Sequence, residues 1–584
     1  MKSQYKKLIL LGAGIFGAVA MQAQDLRTEL KGERKVTPIE REANRPGFMP
    51  RLYTPQPAKT DLKVTEYGNV SEITPGKVRL EPVAFMDTIE QTPYRGYASL
   101  GYFPSYNLGA SAGYRFINTH RTRLSGWMEF DGSSYDGLIE PDSDLKEKYK
   151  SNAIVGGFRL DHRVGLKSLL SARIGGLYNH LTAPFYGNDP DVMKMPYYNF
   201  GGGAEWWSSV GRLGYHASLG IDRFGYSLSN VPVENFNPEL GITKLGSPAE
   251  TQFSFGAGAV YGNRESTMYG GLDIKGQLNH RNVSNSTQNI GLIKFTPYFG
   301  FNGEKLQGHL GLNVDVQTGH GAKTHLSPEV LVNWRAMPQF ALYARVNGGD
   351  RVNTYATGYD ICMWANPGSE HFISNVPVDA TLGLNIGPFA GLSFEIWAGY
   401  ASAKSWETLD VFPGYVMTKP SPWNTLWTAS DMKGAHFGAR VAYDYRGIVK
   451  AEVSAEATPD YDKYDEGYYL WRDRAKFDLR ASLTVSPIKP LDLTASYNVR
   501  TGRHTFAYGS FDMPGEDEEG GLIIAPEEIS LGRVSDLSLS ASYKINSQFT
   551  VFARAENVLN KHHWLSYGIE SPGVRGLIGL AYQF

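Results

Sequence analysis

Histidines are the first place to look for chemistry. His562 and His563 are adjacent, and His309, His320 and His325 lie close in sequence. A metal site needs ligands that converge on one point. Here only His320 and His325 could meet, across a hairpin, so ordinary polar positions are expected. Cys362 is the one cysteine of the chain. It excludes an intrachain disulfide framework and a multi-cysteine zinc site. No Gly-x-Ser-x-Gly elbow stands in a strand–turn–helix context. The sequence therefore predicts no enzyme, no metal centre and no cofactor.

Side chains suited to binding are more plentiful. Trp406, Phe412, Tyr415, Trp423 and Trp427 crowd one stretch, with Pro413, Gly414, Pro420 and Pro422 among them. Exposed aromatics can stack on sugar rings or dock a protein; the alternative is a long loop packing on itself. Acidic runs occur at Asp460-Tyr461-Asp462 with Asp465-Glu466, at Glu516-Asp517-Glu518-Glu519, and at Asp142 and Asp144. Their spacing is not that of a calcium loop, so they are expected to be solvated. Arg159, Asp161, Arg440, Asp444, Asp478, Arg480 and Arg500 carry both signs and are expected on one polar wall.

What must position these residues is a large β-structure. The chain has 584 residues, 65 of them Gly and 35 Tyr, and a net charge of -2. The near-zero charge argues against nucleic acid as a partner. No apolar run is long enough for a membrane-spanning helix. Residues 1–23 are expected to be a secretory signal: Lys2, Lys6 and Lys7 precede an apolar stretch from Leu8 to Val19, and Ala18-Val19-Ala20 offers small residues for cleavage, with Ala23 a second candidate. Residues 24–91 are rich in Pro and in charges of both signs, and are expected to be extended rather than a packed domain.

From residue 92 onward the period is two. Leu479, Ala481, Leu483 and Val485 alternate with Asp478, Arg480, Ser482 and Thr484. Leu491, Leu493, Ala495 and Tyr497 alternate with Asp492, Thr494, Ser496 and Asn498. Leu537, Leu539, Ala541 and Tyr543 alternate with Ser538, Ser540, Ser542 and Lys544. Each is a strand with one apolar face, of the length that crosses a bilayer at a tilt, about 9–11 residues. Some 22 strands are expected, and their connections take turns in length. Tight ones fall at Asn118–His120, Val164–Lys167, Val210–Gly211, Arg446 and Asn546–Gln548. Long ones are expected at Gly132–Lys150, Leu181–Pro196, Ser227–Pro248, His280–Gln288, Gly349–Asn375, Ser402–Lys433, Thr458–Arg474, Thr501–Arg533 and Leu559–Gly573. A soluble sandwich or propeller does not predict that alternation; a transmembrane antiparallel β-barrel of the outer membrane does. In hydrocarbon every backbone N–H and C=O needs a partner, so such a sheet closes on itself. Apolar residues then face the outer-membrane lipids and polar ones the lumen. Short turns and both barrel termini are expected in the periplasm, long loops outside the cell.

The last strand carries Ile578, Leu580, Tyr582 and the terminal Phe584, two apart. This resembles the C-terminal signal read by the barrel-assembly machinery of Gram-negative bacteria. The preceding residues, Asn557-Val558-Leu559-Asn560-Lys561, then His563-Trp564, then Pro572-Gly573-Val574-Arg575, then Gly579-Leu580-Ala581-Tyr582-Gln583-Phe584, resemble the end of TonB-dependent receptors. Val574 interrupts the Pro-Gly-Arg element of that family. The close match covers about 30 residues, and the strand count extends the likeness over the barrel. The resemblance implies an outer-membrane transport barrel. It also implies an N-terminal plug, yet only the stretch Asp25–Gln91 precedes the barrel, and Leu62-Lys63-Val64-Thr65 is a poor TonB-contact box. The expected function is a plug-less channel that binds or passes a nutrient or other solute, with a surface lipoprotein as probable lid. The alternative is a structural platform in a multi-protein outer-membrane complex, for protein assembly or surface export. A barrel of this size needs a filling: in-folded loops, the Pro-rich segment or a partner protein.

Overall fold

The computed structural model describes residues 94–104, 107–138, 146–165, 167–184, 192–227, 247–262, 266–283, 286–319, 323–364, 371–411, 425–459, 475–508, 526–566 and 569–584. The first strands are β1 Gly96–Phe103, β2 Asn107–Asn118, β3 Thr122–Leu138, β4 Lys146–Val164, β5 Ser168–Pro184, β6 Val192–Val210 and β7 Leu213–Tyr226. Next come β8 Ala249–Tyr261, β9 Met268–Val283, β10 Ser286–Asn302, β11 Leu306–Thr318, β12 Lys323–Met337 and β13 Phe340–Val352. A short helix α1, Tyr355–Ile361, stands before β14, Ile373–Phe389. The wall continues through β15 Leu392–Val411, β16 Thr425–Tyr445, β17 Val449–Ala457, β18 Phe477–Ile488 and β19 Leu491–Thr501. A hairpin, β20 His504–Tyr508 and β21 Pro526–Ser530, precedes β22 Val534–Lys544 and β23 Phe549–Glu556. A second small hairpin, β24 Trp564–Ser566 and β25 Ile569–Glu570, precedes the last strand, β26 Arg575–Gln583.

Leaving the two hairpins aside, 22 strands form a closed antiparallel barrel. The seam joins the first strand to the last, with Tyr97 opposite Gln583 and Leu100 opposite Leu580. Phe584 extends the seam: its N–H donates to Gly96 O at 2.9 Å, and its carbonyl accepts from Arg95 N at 2.7 Å. Its ring stacks on Tyr114. Closure leaves no strand edge in the membrane, where an unpaired backbone group would be costly.

The alternation assigns the two faces. On β4 and β5, Phe158 is 53% exposed and Ile174 64%. Large apolar side chains this open, repeated around the barrel at Ile154, Leu219, Leu382 and Phe437, mark the lipid side. Arg159, Asp161 and Arg173 point the opposite way, because neighbours in a strand alternate. Turns at the short-connection end use the backbone that tight hairpins demand. Arg446 and Gly447 both have positive φ, 53° and 71°, and Ile448 N closes the turn on Tyr445 O at 2.9 Å. Two successive left-handed residues match the twist of the flanking strands.

Several connections are shorter than the alternation predicted. Pairing runs up to Leu138↔Lys146, Pro184↔Val192, Val283↔Ser286 and Val411↔Thr425. β15 has 20 residues and β16 has 21, against 9 in β17 and 8 in β1. At about 3.4 Å per residue and a tilt of about 40°, twenty residues climb about 50 Å, twice a hydrocarbon band about 25 Å tall. The upper half of those strands therefore stands clear of lipid. Its outer face has no need of apolar side chains, so the period-two signal fades while the hydrogen-bonded ladder continues. That is why polar stretches such as Ser133–Leu138 and Lys146–Lys150 read as loops.

Candidate functional site

At the long-connection end part of the chain packs against the inside of the barrel wall. The connection leaving β13 does not splay outward. Residues 353–364 cross the lumen and pack on the inner faces of β4 to β9. α1 starts at Thr354, whose side chain accepts from Thr357 N while the Thr357 hydroxyl receives the Thr354 N–H, a reciprocal capping box. Such a cap lets a two-turn helix persist where tertiary packing supplies the rest.

One side chain holds this segment at both ends. Arg281, on β9, is 0% exposed. Its Nε donates to Glu250 Oε1 of β8 at 2.6 Å, its Nη1 to His371 O at 2.8 Å, and its Nη2 to Asn353 O. Glu250 also accepts from Asn279 Nδ2 at 2.5 Å and from Tyr355 N, at the start of α1, at 2.9 Å. The planar guanidinium suits this job because its donors point in fixed directions. Farther along, His371 Nδ1 lies 2.9 Å from Glu407 Oε2 of β15, and Glu407 Oε1 accepts from Phe372 N. Both partners are buried.

Between these anchors lies an aromatic layer. Tyr149, Tyr197, Phe224 and Tyr226 come from the wall; Tyr355, Tyr359 and Trp364 come from the segment. Tyr359 sits on Tyr197 with centroids 3.9 Å apart, and Trp364 meets Tyr149 edge-on at 5.2 Å. Asn179 Nδ2 donates to the Tyr359 hydroxyl at 2.9 Å. Burial pushes the Tyr359 phenol up to about 12, so it stays neutral. Each such ring pair adds about 0.5–1.5 kcal/mol beyond its area.

A polar node braces the base of the segment. Asp350 accepts from Gln317 Nε2 at 2.7 Å and Asn375 Nδ2 at 2.6 Å, and His325 Nδ1 is 2.9 Å away. Its own N–H donates to Asp315 Oδ2 at 2.7 Å, and Lys294 Nζ stands 3.5 Å from Asp315 Oδ1. Nearby, the β20 hairpin reaches to β15: Ala507 pairs with Val411, and Thr505 Oγ1 donates to Leu409 O at 3.1 Å. Arg503 donates to Trp564 O and Leu565 O, and Ile569 is fully buried in the aromatic layer. Burial, then Arg503, Arg500 and His562, hold His563 down to about 4.

The residues singled out by sequence fall as follows. Trp427 is 8% exposed, its ring 5.7 Å from His371, so it is committed to packing on the filled mouth. Trp406 is half-buried with the Arg351 guanidinium 5.8 Å from its ring centroid. Phe412, Tyr415 and Trp423 lie outside the described residues, as do His320 and the three acidic runs. Lumen-face charges pair among themselves. Arg159 meets Asp161 at 3.1 Å, Arg440 meets Glu452 at 2.8 Å, and Asp478 receives both Arg480 at 2.8 Å and Arg500 at 3.3 Å. Asp444 instead accepts from Gly447 N at 2.8 Å in the turn. Cys362 is the C-cap residue of α1 and is partly buried. Among the described residues no group of three or more His, Cys, Asp or Glu could hold a metal ion.

The Asn557–Lys561 box has a structural account. Asn557 and Asn560 take positive φ, 47° and 48°. Asn557 Nδ2 donates to Lys561 O at 2.9 Å and Pro572 O at 3.0 Å, and its Oδ1 accepts from Lys561 N. One amide thus pins both ends of the last long connection. Sequence reasoning missed Arg281, Glu250, Asn179 and Tyr197. The signal available was Gln277, Asn279 and Arg281, which carry the lumen-facing alternation of β9 into a stretch that reads as loop.

These features define a class, a 22-stranded transmembrane barrel of the outer-membrane kind. No protein-family model matches the sequence. Solved structures share the fold. The siderophore receptor PirA from Acinetobacter baumannii superposes with a TM-score of 0.59 at 11% identity, over 84% of this chain and 80% of that one. The ferric enterobactin receptor PfeA from Pseudomonas aeruginosa gives 0.59 at 10%, over 84% and 80%. The FrpB iron transporter from Neisseria meningitidis gives 0.60 at 10%, over 84% and 81%. The barrel is thus similar in fold to TonB-dependent siderophore receptors.

Proposed function

We propose that the protein is an outer-membrane transport receptor, with its long connections on the cell surface and both barrel termini in the periplasm. One observation carries this reading: residues 353–364 turn inward and pack on the inner wall at the loop end, clamped by Arg281. An inward-packed segment at the mouth of a polar, ion-paired lumen is what a gated solute path needs. The stretch Asp25–Gln91 is then the candidate filling for the remaining lumen, and a surface lipoprotein the candidate outer partner.

Planar-bilayer conductance tests this. Wild-type protein should be nearly silent, and a variant with residues 353–364 replaced by a Gly-Ser linker should pass larger currents. Deleting Asp25–Gln91 in that background should raise them again. Silence of every variant would sink the transport reading. It would favour the second one, a platform subunit, whose supporting observation is that the mouth is built like a domain core, with aromatic layer and buried ion pairs. A stoichiometric partner recovered in mild detergent would then identify the complex.

A further inference from the structure

The segment that closes the mouth is itself a peptide seated in a built site. Its contacts are those of peptide recognition. One backbone carbonyl of the segment, Asn353 O, receives the Arg281 guanidinium, whose second carbonyl partner, His371 O, lies beyond the segment, and one backbone N–H, of Tyr355, is received by Glu250. One aromatic side chain, Tyr359, lies on Tyr197 with its hydroxyl bonded to Asn179. Trp364 lies on Tyr149, and Tyr355 stacks on Phe224 at 6.1 Å.

A transport barrel must open this mouth. Opening it strips cover from the wall rings and takes Asn353 O from Arg281 and Tyr355 N from Glu250. Bare apolar rings and an unsatisfied buried ion pair are both costly. The open state is favoured when something with the same groups takes their place.

We propose that the inner wall formed by Tyr149, Asn179, Tyr197, Phe224, Glu250 and Arg281 is a binding site for an aromatic-bearing peptide, which residues 353–364 occupy in cis as a displaceable lid. The ligand presents a main-chain carbonyl to Arg281, a main-chain N–H to Glu250, and a tyrosine or tryptophan ring to the wall. Lid and ligand exclude each other, so the lid lowers apparent affinity by the fraction of time it is closed. The proposal rests on the transport reading for the need to open, but its test is of binding.

The probe is a fluorescent synthetic peptide with the sequence of residues 353–364, serine replacing the cysteine. Its anisotropy is followed with the full chain in detergent micelles. The Gly-Ser linker variant should bind it at least tenfold tighter than wild type. Adding Tyr197→Ala or Asn179→Ala to the linker variant should weaken binding at least tenfold. A peptide with its aromatic residues changed to Ala should bind as weakly. If the linker variant does not fold, as judged by heat-modifiable gel migration, Tyr355→Ala/Tyr359→Ala loosens the lid and leaves the wall intact. A folded lid variant that binds no tighter than wild type overturns the proposal, as does binding indifferent to Tyr197 and Asn179. Conductance separates the two ideas: a lid variant that conducts but binds no peptide removes this proposal and keeps the transport reading.

Discussion

Replacing Arg281 is the sharpest perturbation of the mouth. In Arg281→Ala, Glu250 keeps Asn279 and Tyr355 N as donors but loses its ion-pair partner, and the carbonyls of Asn353 and His371 lose the guanidinium as donor. Removing one partner of a buried ion pair costs about 3–5 kcal/mol. Opening the lid lets Glu250 and the carbonyls hydrate and recovers part of that cost. The closed state should therefore lose about 2–4 kcal/mol relative to the open one, a shift of roughly 30- to 1,000-fold at about 1.4 kcal/mol per decade. The chain supplies its own reporter. Cys362 is its single cysteine; it is the C-cap residue of α1, within the lid, and is partly buried while the lid is closed. Its labelling rate by a bulky maleimide, in folded protein, should rise with the open population. Arg281→Lys keeps the charge beside Glu250 but lacks the fork that reaches both carbonyls, so it should fall between. Wild-type labelling rates in a folded Arg281→Ala barrel would refute the view that this side chain holds the lid.

Other consequences are independent of the lid. At Gly157 a Cβ would lie 2.6 Å from Ile174 O and 3.0 Å from Gly175 Cα, and neither is a side chain that can swing away. Gly157→Val should lower barrel stability by about 1–3 kcal/mol, read as an earlier loss of the heat-modifiable band, and an unchanged transition contradicts it. His563, held near 4, is neutral in the folded connection but titrates near 6.5 when free. Its contribution is complete above about pH 6.5 and is lost as pH falls through 4, at most about 3 kcal/mol. Corrected for the intrinsic pH dependence of amide exchange, residues 557–566 and 569–574 should show lower protection factors at pH 4 than at pH 7, and His563→Asn should flatten that difference. Deleting Phe584 removes the hydrogen bonds with Arg95 and Gly96 and the ring on Tyr114. The folded fraction after refolding should drop, and wild-type yield would show that the seam closes without it.

Much of the wall is legible residue by residue. Leu479-Arg480-Ala481-Ser482 states which side meets lipid, because hydrocarbon tolerates no charge and side chains alternate strictly. Tight turns are legible too: Gly211 and Arg446–Gly447 stand where a two-strand reversal needs left-handed backbone. Legibility stops where lipid stops. Above the membrane neither face of a strand must be apolar, so Thr425–Asp431 and Lys146–Ser151 carry no periodic mark and their pairing shows only in three dimensions.

The linear chain by itself determined a closed, lipid-facing cylinder, since solvation by hydrocarbon is a local demand that each residue answers alone. It left open what stops the mouth. That was decided by the tertiary structure, which brings Arg281 to the carbonyls of Asn353 and His371 across residue separations of 72 and 90, and Tyr359 to Asn179 across 180. A buried ion pair depends on geometry between distant segments, and no local pattern encodes which cation will meet which carbonyl once the sheet has closed.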